Sequence, residues 1–257
     1  TDISNSAIKL NAGEALAPGP SIGADNLINP FGPNVVLTAG NITVGGQGRA
    51  TIYTGSSKGS GASLASYIGL GSGRFRYNSN ESIKNYDDFS NSDAGFFAIY
   101  RENPILTIKA NDSSMVYGFA NTPITTSSVT GYLNGDNFSQ AISNLQISTD
   151  NIISSSNYLS ARNHPLTPSN ASGKLGYGFS YANGTLTVTP KSLTISGITA
   201  YDKAYDGLST ASIDLSGVNK VGLIPGDDLT ISTIGNFRNS TNSDNDKNVG
   251  SMKMVRL

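Results

Sequence analysis

The chain carries two near-copies of one sentence. LTIKANDSSMVYG runs from Leu106 to Gly118, and LTISGITAYDKAYDG runs from Leu193 to Gly207. Each opens Leu-Thr-Ile and closes on a tyrosine followed by glycine or Asp-Gly. Tyr117 and Tyr205 lie 88 positions apart. Each copy then reaches a Gly-Asp turn, Leu133-Asn134-Gly135-Asp136 in the first and Ile224-Pro225-Gly226-Asp227 in the second. Gly135 and Gly226 are 91 apart. A period near 90 is too long for one coil of a short solenoid and suits a small domain. The chain therefore reads as a string of small domains, and Tyr117 and Tyr205, recurring at one place in the repeat, read as buried or half-buried packing anchors.

Composition says what such domains are made of. With 257 residues there is room for two or three of them. Asn, Ser, Thr and Gly dominate the polar content, which favours strands and turns over helices. Charged residues are 14% and the net charge is −1. Long-range attraction to nucleic acid or anionic lipid is therefore not expected of the chain as a whole. It has no cysteine, which excludes disulfides and thiol chemistry. No apolar run reaches the length of a membrane-spanning helix, and TDISNSAIKL lacks the layout of a signal peptide.

Alternating apolar and polar residues mark strands at 35–44, 50–55, 95–102, 105–110, 184–198 and 211–218, each bounded by Gly, Asn, Asp or Pro. Two stretches, 62–70 and 136–145, have the pattern for a turn or two of helix, without strong caps. Residues 1–104 are richer in Gly and Asn, with closely spaced strands and sharp turns, the texture of a β-helix terminal segment or cap. Residues 105–190 and 191–257 read as two further β domains, the last of them either complete or truncated. Pro190 in TVTPKSLTI and Pro104 in ENPIL each sit where one strand ends and another opens, because proline cannot donate to a ladder. Such short joints predict modules stacked end to end in an elongated, mainly β molecule, its small domains sandwich- or grasp-like.

The residues also resemble known families. LTIKANDSSMVYG, the following NGD and the closing GTLTVTPKSLTI resemble the MBG-type repeat domain of large bacterial surface exoproteins. AYDKAYDG, PGDDLTIS and DKNVG resemble the YDG-type domain. GSGRFRYNSNES and FFAIYRENPILTI resemble the end of the β-helix in a filamentous-haemagglutinin-like exoprotein. The resemblance implies two-partner secretion, a secreted or cell-surface location and a role as an adhesin in attachment, aggregation or biofilm formation. The implied partners are host or bacterial surface glycans or proteins. The family's secretion domain, which engages the outer-membrane transporter, is not among these residues. The alternative implied by the same resemblance is a spacer that projects an adhesive part located elsewhere.

A search for chemistry yields little. The one histidine, His164, precedes a proline and reads as a solvated loop residue, with no G-x-S-x-G elbow to serve. No Cys/His cluster offers a zinc site. GLGSGRF and VGGQGRA lack the phosphate-loop pattern and read as tight turns. The three glutamates are far apart, and the adjacent pairs Asp87-Asp88 and Asp227-Asp228 point opposite ways on a strand. No catalytic residue and no cofactor is expected, so the chain is expected not to be an enzyme. Asp244 and Asp246 alternate in a run of oxygen donors that could hold calcium, although Lys247 competes and a flexible polar loop is the better reading. Arg74 and Arg76, with Tyr77, form the one basic–aromatic cluster and the candidate ligand patch. As a strand it would turn Phe75 and Tyr77 inward and leave the arginines solvated. Seven Asn-x-Ser/Thr triplets, at Asn41, Asn80, Asn111, Asn137, Asn170, Asn183 and Asn239, arise readily in a chain this rich in those residues.

Overall fold

The computed structural model describes residues 8–11, 19–20, 49–89, 94–120, 127–239 and 246–257. The strand expected at 35–44 lies outside them. The described chain is mainly β, with many short strands in several small sheets and little helix. It divides into two compact units. The first comprises Thr1–Ser113, Pro123–Asp150 and His164–Leu186, and the second Ser114–Thr122, Asn151–Asn163 and Thr187–Leu257.

The first unit contains a four-stranded parallel sheet ordered Ile8–Asn11, Arg49–Thr54, Gly95–Tyr100, Phe75–Arg76. Arg49–Thr54 is buried along its whole length, as a parallel strand covered on both faces must be. The helix Ser57–Ile68 follows it directly. Its sequence contains Gly59 and Gly61, both poor helix formers. Packing compensates: Leu64, Ala65 and Ile68 put one face into the core. Gly61, at φ 75°, breaks the helix, and Gly69, at φ 102°, ends it.

A second sheet centres on Ile105–Ala110, which pairs parallel with Gly178–Ala182 and antiparallel with Ser127–Thr130. Its alternation is complete: Leu106, Ile108 and Ala110 face in, while Ile105, Thr107 and Lys109 face out. Leu106 and Ile108 join Ile52, Leu64, Phe75 and Tyr100 in one core, which therefore runs continuously across Pro104. Gln146–Ser148 pairs antiparallel with Asn163–Ser169.

Both stretches expected to be helical do contain helix, but their starts differ from the reading of weak caps. Ser56 Oγ accepts the N–H of Gly59 at 3.0 Å. Asn137 and Gln140 form a full capping box around Phe138–Ala141, with Gln140 N–H donating to Asn137 at 3.2 Å and Asn137 N–H donating to Gln140 at 3.1 Å.

The second unit is built from shorter ladders. Thr194–Ser196 pairs with Asn219–Val221, Thr199–Ala200 with Ile213–Asp214, and Thr210–Ala211 with Gly235–Phe237, which also pairs with Val255–Arg256. Tyr117 N–H donates to Thr189 O at 2.8 Å and Val188 N–H to Arg162 O at 2.9 Å. The strand expected over 211–218 is interrupted after Asp214, whose carboxylate accepts the N–H of Ser216 and turns the chain.

Candidate functional site

Phe75–Arg76 lies at one edge of the parallel sheet. Phe75 and Tyr77 are fully buried, and the Tyr77 ring stacks on Tyr100 with centroids 5.6 Å apart. The arginines depart from the expectation of a solvated face. Arg76 is only 7% exposed. Its guanidinium lies 4.8 Å from the Phe89 ring centre and 5.5 Å from that of Tyr86, and it donates to Gly73 O at 2.7 Å and Phe75 O at 2.8 Å. Arg49 sits 4.6 Å from Phe89, and Arg74 sits 5.9 Å from Phe97. The segment through Tyr86 and Phe89 covers this face, and desolvated cation–π contacts make the burial tolerable. Burial, with the neighbouring Tyr53 oxygen, pushes the Tyr86 hydroxyl up to about 12 against the pull of Arg76 and Arg49. The candidate patch of Arg74, Arg76 and Tyr77 is thus spent on internal contacts at Arg76 and Tyr77.

Tyr77 instead serves the first Gly-Asp turn. Asn134 (φ 51°) and Gly135 (φ 77°) are both left-handed, and Asp136 N–H closes the turn on Leu133 O at 2.9 Å. This is a turn for which an Asn-Gly pair is the favoured choice. It places the Asp136 carboxylate inside the core, where Oδ2 accepts the hydroxyls of Tyr77 at 2.7 Å and Tyr177 at 2.8 Å. Each tyrosine oxygen also accepts an N–H, from the Asn134 side chain at 3.1 Å and the Leu133 backbone at 2.9 Å. Burial raises the Asp136 carboxyl above its ordinary range, opposed by the two tyrosine donors and Arg76. Burial and the charge of Asp136 raise both tyrosines in turn.

The second Gly-Asp turn has the same logic with different backbone chemistry. Pro225 precedes Gly226, at φ 94°, and Asp227 N–H closes on Ile224 O at 3.0 Å, the signature of a type II turn. Asp227 Oδ1 accepts the Tyr117 hydroxyl at 2.6 Å and also takes Ser156. The Tyr117 oxygen lies 2.8 Å from Ser154 Oγ. Ile224 is buried over Gly118, where a β-carbon would collide with its side chain. Tyr117 is half-buried.

The other sequence candidates fall elsewhere. Tyr205 departs from its expected role as a packed anchor: it is 69% exposed. Asp244 lies outside the described residues. Asp246 pairs with Lys253 at 2.5 Å and accepts the N–H of Asn248 at 3.0 Å. Among the described residues no three His, Asp or Glu side chains gather as a metal site. His164 is a correction to the solvated-loop reading. It is fully buried in the strand Asn163–Ser169, with Nδ1 2.5 Å from Asp150 Oδ1. The alternation that turns Leu166 and Pro168 inward turns His164 inward too.

Residues 106–187 match the MBG domain (YGX type), and residues 189–257 match the YDG domain. Domains of these kinds are typical of repeat domains in surface proteins. No curated protein and no solved structure matches the chain. Tyr117-Gly118 stands in the first domain and Tyr205-Asp206-Gly207 in the second. Sequence reading found both tyrosines and both Gly-Asp turns but not the bonds between them. It missed Tyr177, Ser154 and Ser156 altogether, and no local pattern marks them.

Proposed function

We propose that the chain is a segment of a secreted bacterial surface adhesin of the filamentous-haemagglutinin-like kind, in which the MBG and YDG domains act as spacers supporting an adhesive part elsewhere. One observation carries the choice of spacer over binder: the basic–aromatic cluster and the repeat tyrosine Tyr117 are consumed by internal bonds. In this reading the chain has no catalytic role, and the inaccessible His164 supports that. Export by two-partner secretion and display at the cell surface belong to the same proposal.

The test is a screen of the full chain against glycan and matrix-protein arrays, with and without calcium, alongside turnover assays on the same glycans. A spacer gives no saturable retention and no turnover. A second reading, a binding module, is favoured by the cleft of about 520 Å³ that Tyr201 and Tyr205 help to line, since exposed tyrosine rings stack on sugar faces. Saturable retention that is lost in Tyr201→Ala and Tyr205→Ala variants would establish it in place of the spacer.

A further inference from the structure

Twice in this chain a tyrosine is met by the aspartate of an apolar-x-Gly-Asp turn that comes much later in sequence. Tyr77 meets Asp136, 59 residues on, and Tyr117 meets Asp227, 110 residues on. In both cases the residue after the tyrosine is left-handed, Asn78 at φ 50° and Gly118 at φ 92°. At Gly118 the missing side chain matters directly, because Ile224, the apolar first residue of the turn, occupies that space.

A third tyrosine also precedes a left-handed residue, one position further along, and has no turn against it. Tyr205 is followed by Asp206 and then Gly207, left-handed at φ 73°. Where Gly118 is filled, Gly207 is open: nothing lies within 4 Å of where its β-carbon would be. The loop that presents Tyr205 is nonetheless built. Lys203 Nζ binds Asp206 at 2.8 Å and Thr210 O at 2.9 Å, and Asp206 accepts the N–H of Leu208 at 2.9 Å. Tyr201, Leu208, Val249 and Met252 are exposed around the same cleft, an apolar grouping that marks an interaction surface.

The chain's own turns do not supply the occupant. Asp136 is taken by Tyr77 and Tyr177, and Asp227 by Tyr117 and Ser156. A second copy of this chain would bring the same engaged turns. We propose that Tyr205 and Gly207, flanked by Tyr201 and Leu208, form a docking site for the apolar-x-Gly-Asp turn of a further MBG- or YDG-type module. The turn's aspartate accepts the Tyr205 hydroxyl, and its apolar residue fills the space over Gly207. The inference stands apart from the ligand question, since it holds for a spacer or a binder.

The experiment extends the full chain with a second copy of residues 188–257 after Leu257 and follows nitration of each tyrosine by mass spectrometry. In the extended chain Tyr205 is expected to react about tenfold more slowly than in the unextended chain, equivalent to a tenfold shift in the open population. Its counterpart in the appended copy, with no module beyond it, keeps the original rate. Changing the appended copy's counterpart of Asp227 to Ala, or making Gly207→Val in the first copy, is expected to restore reactivity at Tyr205. Hydrogen exchange on the appended strands shows that the copy is folded. A folded appended copy over a fully reactive Tyr205 overturns the proposal.

Discussion

Asp136 is the close acceptor shared by two buried tyrosine hydroxyls, so its removal is more costly than the loss of one hydrogen bond. Asp136→Ala strands the Tyr77 hydroxyl and leaves Tyr177 only the Leu133 carbonyl at 3.5 Å, at about 1–3 kcal/mol each, offset by no longer burying a carboxylate. The expected net loss is about 2–4 kcal/mol of unfolding free energy by urea titration, within the range for a broken buried network. Asp136→Asn keeps an acceptor and is expected to lose less than half as much. Tyr117→Phe removes a hydroxyl from a half-buried, partly solvated centre and is expected to cost about 1–2 kcal/mol. The sequence displayed both turns, because Asn-Gly and Pro-Gly dictate their backbone locally. It could not display the pairing, since 59 and 110 residues separate the partners and hydrogen bonds at that distance leave no periodic trace. The same limit explains Arg76. Alternation told correctly that Phe75 and Tyr77 face in, whereas the aromatic cover over Arg76 comes from residues 86–89, placed by tertiary packing.

Among the elements, Ile105–Ala110 was legible to the residue because one face is buried and the other solvated, so the period of two is written in the side chains. Arg49–Thr54 is buried on both faces, and its Arg, Thr and Tyr positions carry no such contrast. The helices invert the usual order of support. Ser57–Ile68 has weak propensity and depends on Leu64, which is fully buried in the core. Leu64→Ala is therefore expected to destabilise the first unit by about 2–5 kcal/mol, read as a lower urea midpoint with unchanged slope. Phe138–Ala141 is a single turn held by its capping box, with Gln140 also donating to Gly71 O at 2.9 Å. Asn137→Ala is expected to cost about 1 kcal/mol, seen as faster hydrogen exchange at Gln140 and Ala141.

For the whole molecule, acid acts on the two units with opposite sign. In the first unit, burial lifts the folded Asp136 carboxyl above its ordinary 3.8. The folded state then holds the proton more tightly than the unfolded chain, so this group's contribution to stability falls as pH rises from 3.8 through the folded value. In the second unit, Asp246 is held low by its bond from Lys253, Asp206 by its bond from Lys203, and Asp214 by the Ser216 N–H. Those three contribute stability above 3.8 and lose it as pH falls through their folded values. Asp206 is exposed and Asp214 partly so, and salt weakens their effect, whereas the Asp246 side chain is only 6% exposed and is screened less. Thermal melts followed amide by amide at about pH 3 and about pH 5 separate the units, because each melt is read on its own strands. The second unit is expected to melt lower at the acid end. In the first unit, the advantage of the parent chain over Asp136→Asn is expected to be larger at the acid end and to shrink as pH rises. A parent-minus-variant difference that grows with pH would mean that the folded Asp136 titrates below its unfolded value, and that its two tyrosine donors outweigh burial.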